Sequence, residues 1–227
     1  MIQTDKYAGL KNKINQLFLE NKARYGYRRI HALLKRSNIR VSEKVVRRIM
    51  RENDLTVKIK GTRKYNFYKG EITPAVENIV HRNFHAKPPN EKMLTDITKF
   101  SIPAGKIYLS PIVDCFDGMV VTWNISTSPD AKLTNDILDA YHKMLSNEKP
   151  TIHSDRGAHY RWSGWIERME RYGYTRSMSR KGASSDNAAC EGFFGRLKNE
   201  MFYGKKWQEV SIDEFITILN EYIEWYK

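Results

Sequence analysis

Residues 93–126 read MLTDITKFSIPAGKIYLSPIVDCFDGMVVTWNIS, and this stretch decides the fold class of the C-terminal part of the chain. Three runs rich in β-branched and aromatic residues are separated by Pro-Ala-Gly at 103–105 and Asp-Gly at 117–118, which favour turns. The pattern predicts three antiparallel strands joined by short turns, with Asp96 inside the first strand.

The residues that follow alternate between helical and strand patterns. We expect a helix over 131–146, a strand at Thr151–His153, a helix over 161–172, a strand at Tyr174–Met178, and helices over 186–203 and 211–226. Antiparallel strands followed by alternating helices and strands are typical of an α/β fold. The sequence therefore predicts a mixed five-stranded sheet flanked by helices.

The N-terminal residues 5–55 have a helical pattern of apolar residues. Ser42 can cap a short helix whose apolar positions are Val45, Val46, Ile49 and Met50. Its opposite face carries four cations, Lys44, Arg47, Arg48 and Arg51. A basic helix after a short turn is typical of a helix-turn-helix that contacts DNA. A small helical bundle with a solvated basic face is the alternative.

Positive charge is concentrated in the first part of the chain. The whole chain has a net charge of +13, and residues 1–90 hold 21 Lys and Arg against 7 Asp and Glu. This asymmetry favours a nucleic-acid-binding segment joined to a near-neutral domain. We expect a helix-turn-helix domain at 1–55, a basic linker at 56–90 and a near-neutral α/β core domain at 91–227.

Composition excludes several classes of protein. No apolar run reaches the roughly 20 residues that span a bilayer, and the N-terminus has no apolar leader. Cys115 and Cys190 have neither zinc-site nor disulfide-framework spacing. We expect a cytoplasmic protein without a membrane partner, in which both thiols are buried in a reducing compartment.

Three acidic residues are candidates for metal-dependent phosphodiester chemistry, which needs carboxylates that converge on divalent ions. Asp96 lies among apolar strand residues, Asp155 follows a short strand, and Glu191 begins a helix after small residues. Lys198 lies two helical turns after Glu191. Taken singly, each acid also suits a satisfied buried group, a turn residue or a solvated helix residue.

The motifs around these acids resemble one known family when they are taken together. They are TDIT around Asp96, HSDRG followed by His159 and Tyr160, SMSRKG at 177–182, and DNAACEGFFGRLKNE at 186–200. Upstream, YGYRRIHALL and the helix of Val45 to Met50 resemble a helix-turn-helix module. The chain resembles the second-reading-frame transposases of insertion sequences and, more distantly, retroviral integrases. These enzymes carry a D…D(35)E triad on an RNase H-like fold, and 35 residues separate Asp155 from Glu191 here.

The resemblance implies a DNA transposase. Asp96, Asp155 and Glu191 would hold two Mg²⁺ or Mn²⁺ ions. Water would cleave one strand at an element end, and the freed 3′-OH would attack another phosphodiester without a covalent protein–DNA intermediate. Lys198, Ser179, Arg180 and Lys181 would contact DNA, and His153 and His159 would support the site or contact DNA. The expected partners are terminal inverted repeats and target DNA, further copies of the chain, and a first-reading-frame product.

Some features depart from the family pattern. The His/His/Cys/Cys zinc module of retroviral integrases is absent from the sequence, and Met93 stands where related transposases have Trp. The family usually continues past EYIEWY, so we expect a core shortened at its C-terminus. A truncated DNA-binding repressor of transposition is therefore the alternative function, and an RNase H-like nuclease is a third.

Overall fold

A computed structural model describes residues 7–57, 76–180 and 182–227, without the side chain of Ser184. The chain divides into two compact units. The first unit holds three N-terminal helices together with residues 196–205. The second unit holds the sheet and most of the remaining helical residues, and it contains the candidate acids.

The first unit is a helical cluster, as the apolar pattern predicts. Its helices are α1 (Ala8–Glu20), α2 (Tyr27–Arg36) and α3 (Glu43–Glu52). Ser42 caps α3, because its Oγ accepts a hydrogen bond of 3.4 Å from the Val45 N–H. The apolar faces meet in one core, made of Ile14, Leu17, Phe18, Ile30, Leu34, Val46, Ile49 and Met50. The polar face of α3 is left exposed.

The second unit is built on a mixed sheet, which confirms the predicted α/β class. Its strand segments are β1 (Lys92–Thr95), β2 (Thr98–Ile102), β3 (Gly105–Asp114), β4 (Val120–Ser126), β5 (Thr151–Ser154) and β6 (Thr175–Met178). Strands β1, β5 and β6 are parallel neighbours, whereas β3 pairs antiparallel with β1, β2 and β4. The carboxyl ends of three strands therefore meet at one edge.

The first predicted strand is interrupted at Asp96 and Ile97, which corrects the placement of Asp96 inside a strand. Strands β1 and β2 keep one register along β3, and that register brings Pro111 opposite Asp96. Proline has no backbone N–H, so pairing is weakest at this point. β1 and β2 together therefore occupy the place of the first predicted strand, so the six segments correspond to the five predicted strands. Asp96 follows the end of β1.

Four helices of the second unit pack around the sheet or continue from it: α4 (Ala131–Met144), α5 (Ser163–Tyr172), α6 (Ala188–Leu197) and α7 (Ile212–Tyr226). The helix predicted over 186–203 has three parts, because a 3₁₀ turn, Ser184–Asn187, precedes α6 and a π-helical turn, Lys198–Phe202, follows it. The hydrophobic core of the second unit includes Met93, Ile112, Leu138, Tyr141, Ile152, Tyr160 and Trp165.

The segment before β1 lies along the edge of the sheet. The Met178 N–H donates to the Glu77 carbonyl at 3.2 Å, and the Ile79 N–H donates to Ser177 Oγ at 2.9 Å. These bonds cover the open edge of β6. The linker predicted at 56–90 lies partly outside the described residues, at 58–75, and its boundaries stay a prediction. Within the described residues, no helix combines the length and apolar character needed to cross a membrane.

Candidate active site and nucleic-acid interface

Two candidate acids lie at equivalent positions on neighbouring strands. Thr95 and Ser154 face each other as the last paired residues of β1 and β5, and Asp96 and Asp155 follow them directly. Parallel neighbours are about 4.8 Å apart in a sheet. The strand ends therefore bring the two carboxylates to one place, at the edge where α/β proteins commonly bind ligands.

Asp155 is held in a tight turn after β5. The Gly157 N–H donates to Asp155 Oδ1 at 2.8 Å, and a Cβ on Gly157 would come within 2.8 Å of the same oxygen. Burial raises the pKa of Asp155, while the Gly157 hydrogen bond and the charge of His159 oppose the rise. Any side chain at position 157 would therefore crowd the Asp155 carboxylate and force it to shift.

Glu191 lies in the first turn of α6, and burial raises the pKa of its carboxyl group. The neighbouring Cys190 is completely buried. Burial raises the pKa of the Cys190 thiol, and the charges of Asp96, Asp155 and Glu191 raise it further. Cys190 is thus a buried thiol on which the charges of all three candidate acids act.

Tyr160 is buried next to Thr95, the residue before Asp96, and the sequence analysis did not predict this position. Its ring is 1% exposed, its Oη lies 3.4 Å from Thr95 Oγ1, and it packs edge-on against Trp165. Burial raises the pKa of Tyr160 well above its usual range, and the charges of Asp96 and Asp155 add to this. The phenol therefore stays protonated beneath the carboxylates.

The donor set suits a hard divalent cation. Carboxylate oxygens are the ligands that Mg²⁺ and Mn²⁺ prefer, and desolvated carboxylates with raised pKa values gain most from a bound cation. Within residues 7–57, 76–180 and 182–227, no three Asp, Glu, His or Cys side chains are grouped so that they could hold a metal ion. The chemistry of the three candidate acids, and not a preformed cluster, therefore suits such a cation.

The predicted basic stripe is exposed on α3. Lys44, Arg47, Arg48 and Arg51 all face solvent and line, with Val45, one concave surface. The Arg47 guanidinium lies over the Tyr27 ring at 5.4 Å and that of Arg48 over the Tyr7 ring at 5.5 Å. These aromatic supports, which the sequence analysis missed, restrict the arginine side chains.

Comparisons with known proteins agree with this geometry. Models of the integrase core domain match residues 86–184 and 191–227, and a model of an HTH-like domain matches residues 5–63. A putative transposase InsK for insertion sequence element IS150 from Escherichia coli (strain K12) is 39% identical over 98% of this chain and 78% of its own length. The chain belongs to the insertion-sequence transposases. This confirms the predicted family, and the helix-turn-helix match indicates DNA binding.

A second relative is longer than this chain. The probable transposase for insertion sequence element IS1353 from Shigella flexneri is 54% identical over 98% of this chain, which spans 43% of that protein. Among solved structures, the simian T-cell lymphotropic virus intasome in complex with PP2A regulatory subunit B56 gamma matches with a TM-score of 0.51. Its identity is 15%, over 92% of this chain and 66% of that chain, so it shows a shared integrase-like fold alone.

The two histidines near the site of this transposase differ in environment. His153 is completely buried, with Nδ1 2.8 Å from Ser177 Oγ and Nε2 3.1 Å from Ser179 Oγ, and burial lowers its pKa. It therefore links β5 to β6 and to Ser179, and its ring is not exposed at the surface. His159 is partly exposed, and its Nε2 lies 2.6 Å from the Pro129 carbonyl oxygen.

Arg180, one of the predicted DNA contacts of this transposase, has a protein partner. Its Nε lies 2.9 Å from Asp186 Oδ2, although 67% of its side chain is exposed. Lys181 lies outside the described residues, and Lys198 begins the π-helical turn after α6. Sequence reasoning overlooked Asp186, although it opens the motif that contains Glu191.

Proposed function

We propose that this chain catalyses the DNA cleavage and strand-transfer steps of an insertion-sequence transposase, as a DDE polynucleotidyl transferase. The observation that carries this function is the placement of Asp96 and Asp155 directly after paired residues of parallel neighbouring strands. Glu191 lies in the first turn of α6, next to the buried Cys190. Membership of the transposase family supports the reaction class.

In this proposal Asp96, Asp155 and Glu191 hold two Mg²⁺ or Mn²⁺ ions. Such ions, when bound, supply activation of an oxygen nucleophile and stabilisation of the leaving oxygen. The chain itself holds the carboxylates in a half-buried edge, where interactions between charges are stronger than in water. Gly157 fixes the orientation of Asp155, and Tyr160 excludes water from below the acids.

The reaction would proceed by two displacements at phosphorus. Water attacks a phosphodiester at the element end, and the bond to the 3′ oxygen breaks to leave a 3′-OH and a 5′ phosphate. The 3′-OH then attacks a target phosphodiester, forming one P–O bond as another breaks. Each step exchanges one P–O bond for another, so neither an oxidant nor a covalent protein intermediate is needed.

Recognition of DNA is assigned to both units. The exposed cations of α3, namely Lys44, Arg47, Arg48 and Arg51, would contact the terminal inverted repeats, and the Tyr supports of Arg47 and Arg48 favour this. Arg180, Lys181 and Lys198 would also contact DNA. The proposed partners are further copies of the chain on DNA and a first-reading-frame product, acting in the bacterial cytoplasm.

The test is an assay of cleavage and joining on oligonucleotides that carry the ends of the encoding element. With Mg²⁺ or Mn²⁺ present and the first-frame product supplied, Asp155→Asn should lower both activities by on the order of 10³-fold, since several kcal/mol of charge stabilisation are lost. The matched control is Asp139→Asn, which changes a partly exposed acid paired with Arg168 on the surface of the same unit.

Three outcomes separate the candidate functions. Joined products that depend on Asp155 support the transposase. DNA binding without cleavage or joining would favour a repressor of transposition. Efficient hydrolysis without any joined product would favour a nuclease with the same fold.

A further inference from the structure

A buried carboxylate organises the surface next to the candidate active site. Asp186 is completely buried in the 3₁₀ turn that leads into α6. Its Oδ1 accepts from Arg82 Nε at 2.7 Å and from an Arg180 terminal nitrogen at 3.2 Å. Its Oδ2 accepts from Arg180 Nε at 2.9 Å and from Asn78 Nδ2 at 3.0 Å. The carboxylate is thus fully hydrogen-bonded and shared by two arginines.

The two arginines keep much of their hydrogen-bonding capacity for another ligand. Their side chains are 51% and 67% exposed, although both reach a fully buried acid. A guanidinium has five N–H donors, and among the described residues Arg82 uses only its Nε on Asp186. Two cations and one anion leave the cluster with excess positive charge. Fixed, partly exposed guanidiniums of this kind suit a phosphate.

The cluster lies at the same sheet edge as the candidate acids. Ser154 faces Met178 in the parallel pair β5 and β6, so Asp155 and Ser179 follow at equivalent positions. The Ser179 N–H donates to the Ser154 carbonyl at 2.9 Å, which fixes the backbone immediately before Arg180. A strand of DNA that passes over Asp155 would therefore have a phosphate within reach of the next strand end.

The backbone around Arg82 is held in an uncommon conformation. His81 and Arg82 have φ values of 47° and 64°, although neither is glycine. The segment before them is fixed by Ser177 Oγ, which accepts from Ile79 N–H, and by Asn78 Oδ1, which accepts from His81 N–H at 2.9 Å. Such strain persists where the surrounding structure requires it, and it is common at ligand-binding sites.

We propose that Arg82 and Arg180 form a clamp for a phosphate of the DNA strand that enters the candidate active site, and that Asp186 positions both guanidiniums. This proposal rests on the proposed function, because that function identifies the ligand as DNA. Arg82 and Arg180 contact the ligand, whereas Asp186 acts through them and leads directly into the helix of Glu191. Bidentate pairing of guanidinium with phosphate would give the contact its geometry.

The test measures binding of a labelled duplex with chelator present, so that no cleavage occurs, at several salt concentrations. Arg82→Ala and Arg180→Ala should each weaken binding by on the order of tenfold, as expected for one charged hydrogen-bonded contact. The slope of log affinity against log salt should fall by about 0.9 for each phosphate that the variant no longer neutralises. Asp186→Asn should weaken binding through misplacement of both arginines, and Asp186→Glu should restore part of the affinity.

Matched controls are Arg168→Ala and Asp139→Asn, which break an ion pair of similar length, 2.8 Å, elsewhere on the same unit. These controls should leave the salt slope unchanged. The single arginine variants keep Asp186 paired with the other arginine, so they remain informative if Asp186→Asn fails to fold. The clamp would be overturned if Arg82→Ala, Arg180→Ala and a protein carrying both changes all kept the salt slope of the unsubstituted protein.

The result is independent of the catalytic assignment. A reduced slope in the arginine variants would support the clamp even if Asp155→Asn had no effect on strand joining. Conversely, an unchanged slope together with loss of joining in Asp155→Asn would overturn the clamp and leave the proposed function intact.

Discussion

Asp96 and Asp155 occupy equivalent positions, each one residue beyond the last paired residue of two neighbouring parallel strands. Two acids that are far apart in sequence thereby meet without any long loop. The sheet edge defines their separation, whereas the short turn at Gly157 defines the direction of Asp155. Their chemistry thus depends on the rigidity of β1 and β5 and on a turn that tolerates little added volume.

The first prediction concerns that turn. Gly157→Ala would place a Cβ 2.8 Å from Asp155 Oδ1 and displace the carboxylate. A shift of about 1 Å at a reacting group can cost on the order of 10²-fold in rate. Strand-transfer assays on the variant should therefore show a large loss of activity, with thermal unfolding changed little.

Gly192→Ala is the matched control for this turn. Gly192 lies beside Glu191 on α6, and nothing lies within 4 Å of an added Cβ. Alanine should stabilise the helix by about 0.5–1 kcal/mol. Equal activities of the two alanine variants would contradict the role assigned to Gly157.

The second prediction concerns the basic stripe on α3. Arg47→Ala, Arg48→Ala and Arg51→Ala remove exposed charges, so each should lower the salt slope of DNA binding by about 0.9 if it meets a phosphate. The midpoint of thermal unfolding should hardly change, because the core face of the helix is untouched. Fluorescence anisotropy with labelled duplex at several salt concentrations measures the slope.

Lys143→Ala serves as the control for the stripe, since Lys143 is an exposed cation on α4 of the other unit. The salt slope of DNA binding by this variant should equal that of the unsubstituted protein. If the α3 variants also kept that slope, DNA contact by the stripe would be ruled out.

The third prediction is a pH dependence set by Asp186. Hydrogen bonds from Arg180 hold the pKa of Asp186 far below its usual range, against the effect of burial, and Arg82 adds to this. The folded state then binds a proton less readily than the unfolded state. The contribution of Asp186 to the free energy of unfolding is therefore complete above the ordinary pKa of about 3.9. It is lost as the pH falls towards the pKa of Asp186 in the folded state.

Urea unfolding between pH 3 and 7 tests this dependence. Asp186→Asn should lower the free energy of unfolding near pH 7 by about 1–3 kcal/mol, the cost of losing charged hydrogen bonds to partly exposed arginines. It should also show a shallower decline in acid than the unsubstituted protein. An acid limb identical in both proteins would show that another group governs the decline.

The fourth prediction concerns Asn187, whose side chain is 3% exposed. Within the described residues, neither its Oδ1 nor its Nδ2 has a hydrogen-bond partner. An unsatisfied buried polar group costs about 1–3 kcal/mol. Asn187→Leu, of similar size, should therefore raise the melting temperature by about 2–4 °C for each kcal/mol regained. Calorimetry measures the melting temperature. A clear fall would mean that the Asn187 amide makes hydrogen bonds that leucine cannot replace.

Local sequence pattern was sufficient for most elements. The apolar spacing in 5–55 predicted the helical unit, and Ser42 was correctly identified as a cap. The β-branched runs of 93–126 predicted the meander, because strand propensity and turn residues act over short distances. The predicted burial of Cys115 and Cys190 was also confirmed.

Local sequence pattern could not predict the interruption of the first strand at Asp96. It reflects the position of Pro111 on another strand, so it depends on register and not on the residues around Asp96. The role of Arg180 was similarly incomplete, because its partner Asp186 is shared with Arg82, which lies 104 residues earlier in the chain.

The sequence by itself determined the family and the order of helices and strands, because these follow from local patterns and from motifs of fixed spacing. It also predicted the three candidate acids. Only the tertiary structure decided that Asp96 follows a strand end, that Tyr160 lies beneath the acids, and that one buried carboxylate holds two arginines at the same edge. The reason is physical. Hydrogen bonds and buried charges are satisfied by whichever groups the fold brings together, and sequence distance does not specify those partners.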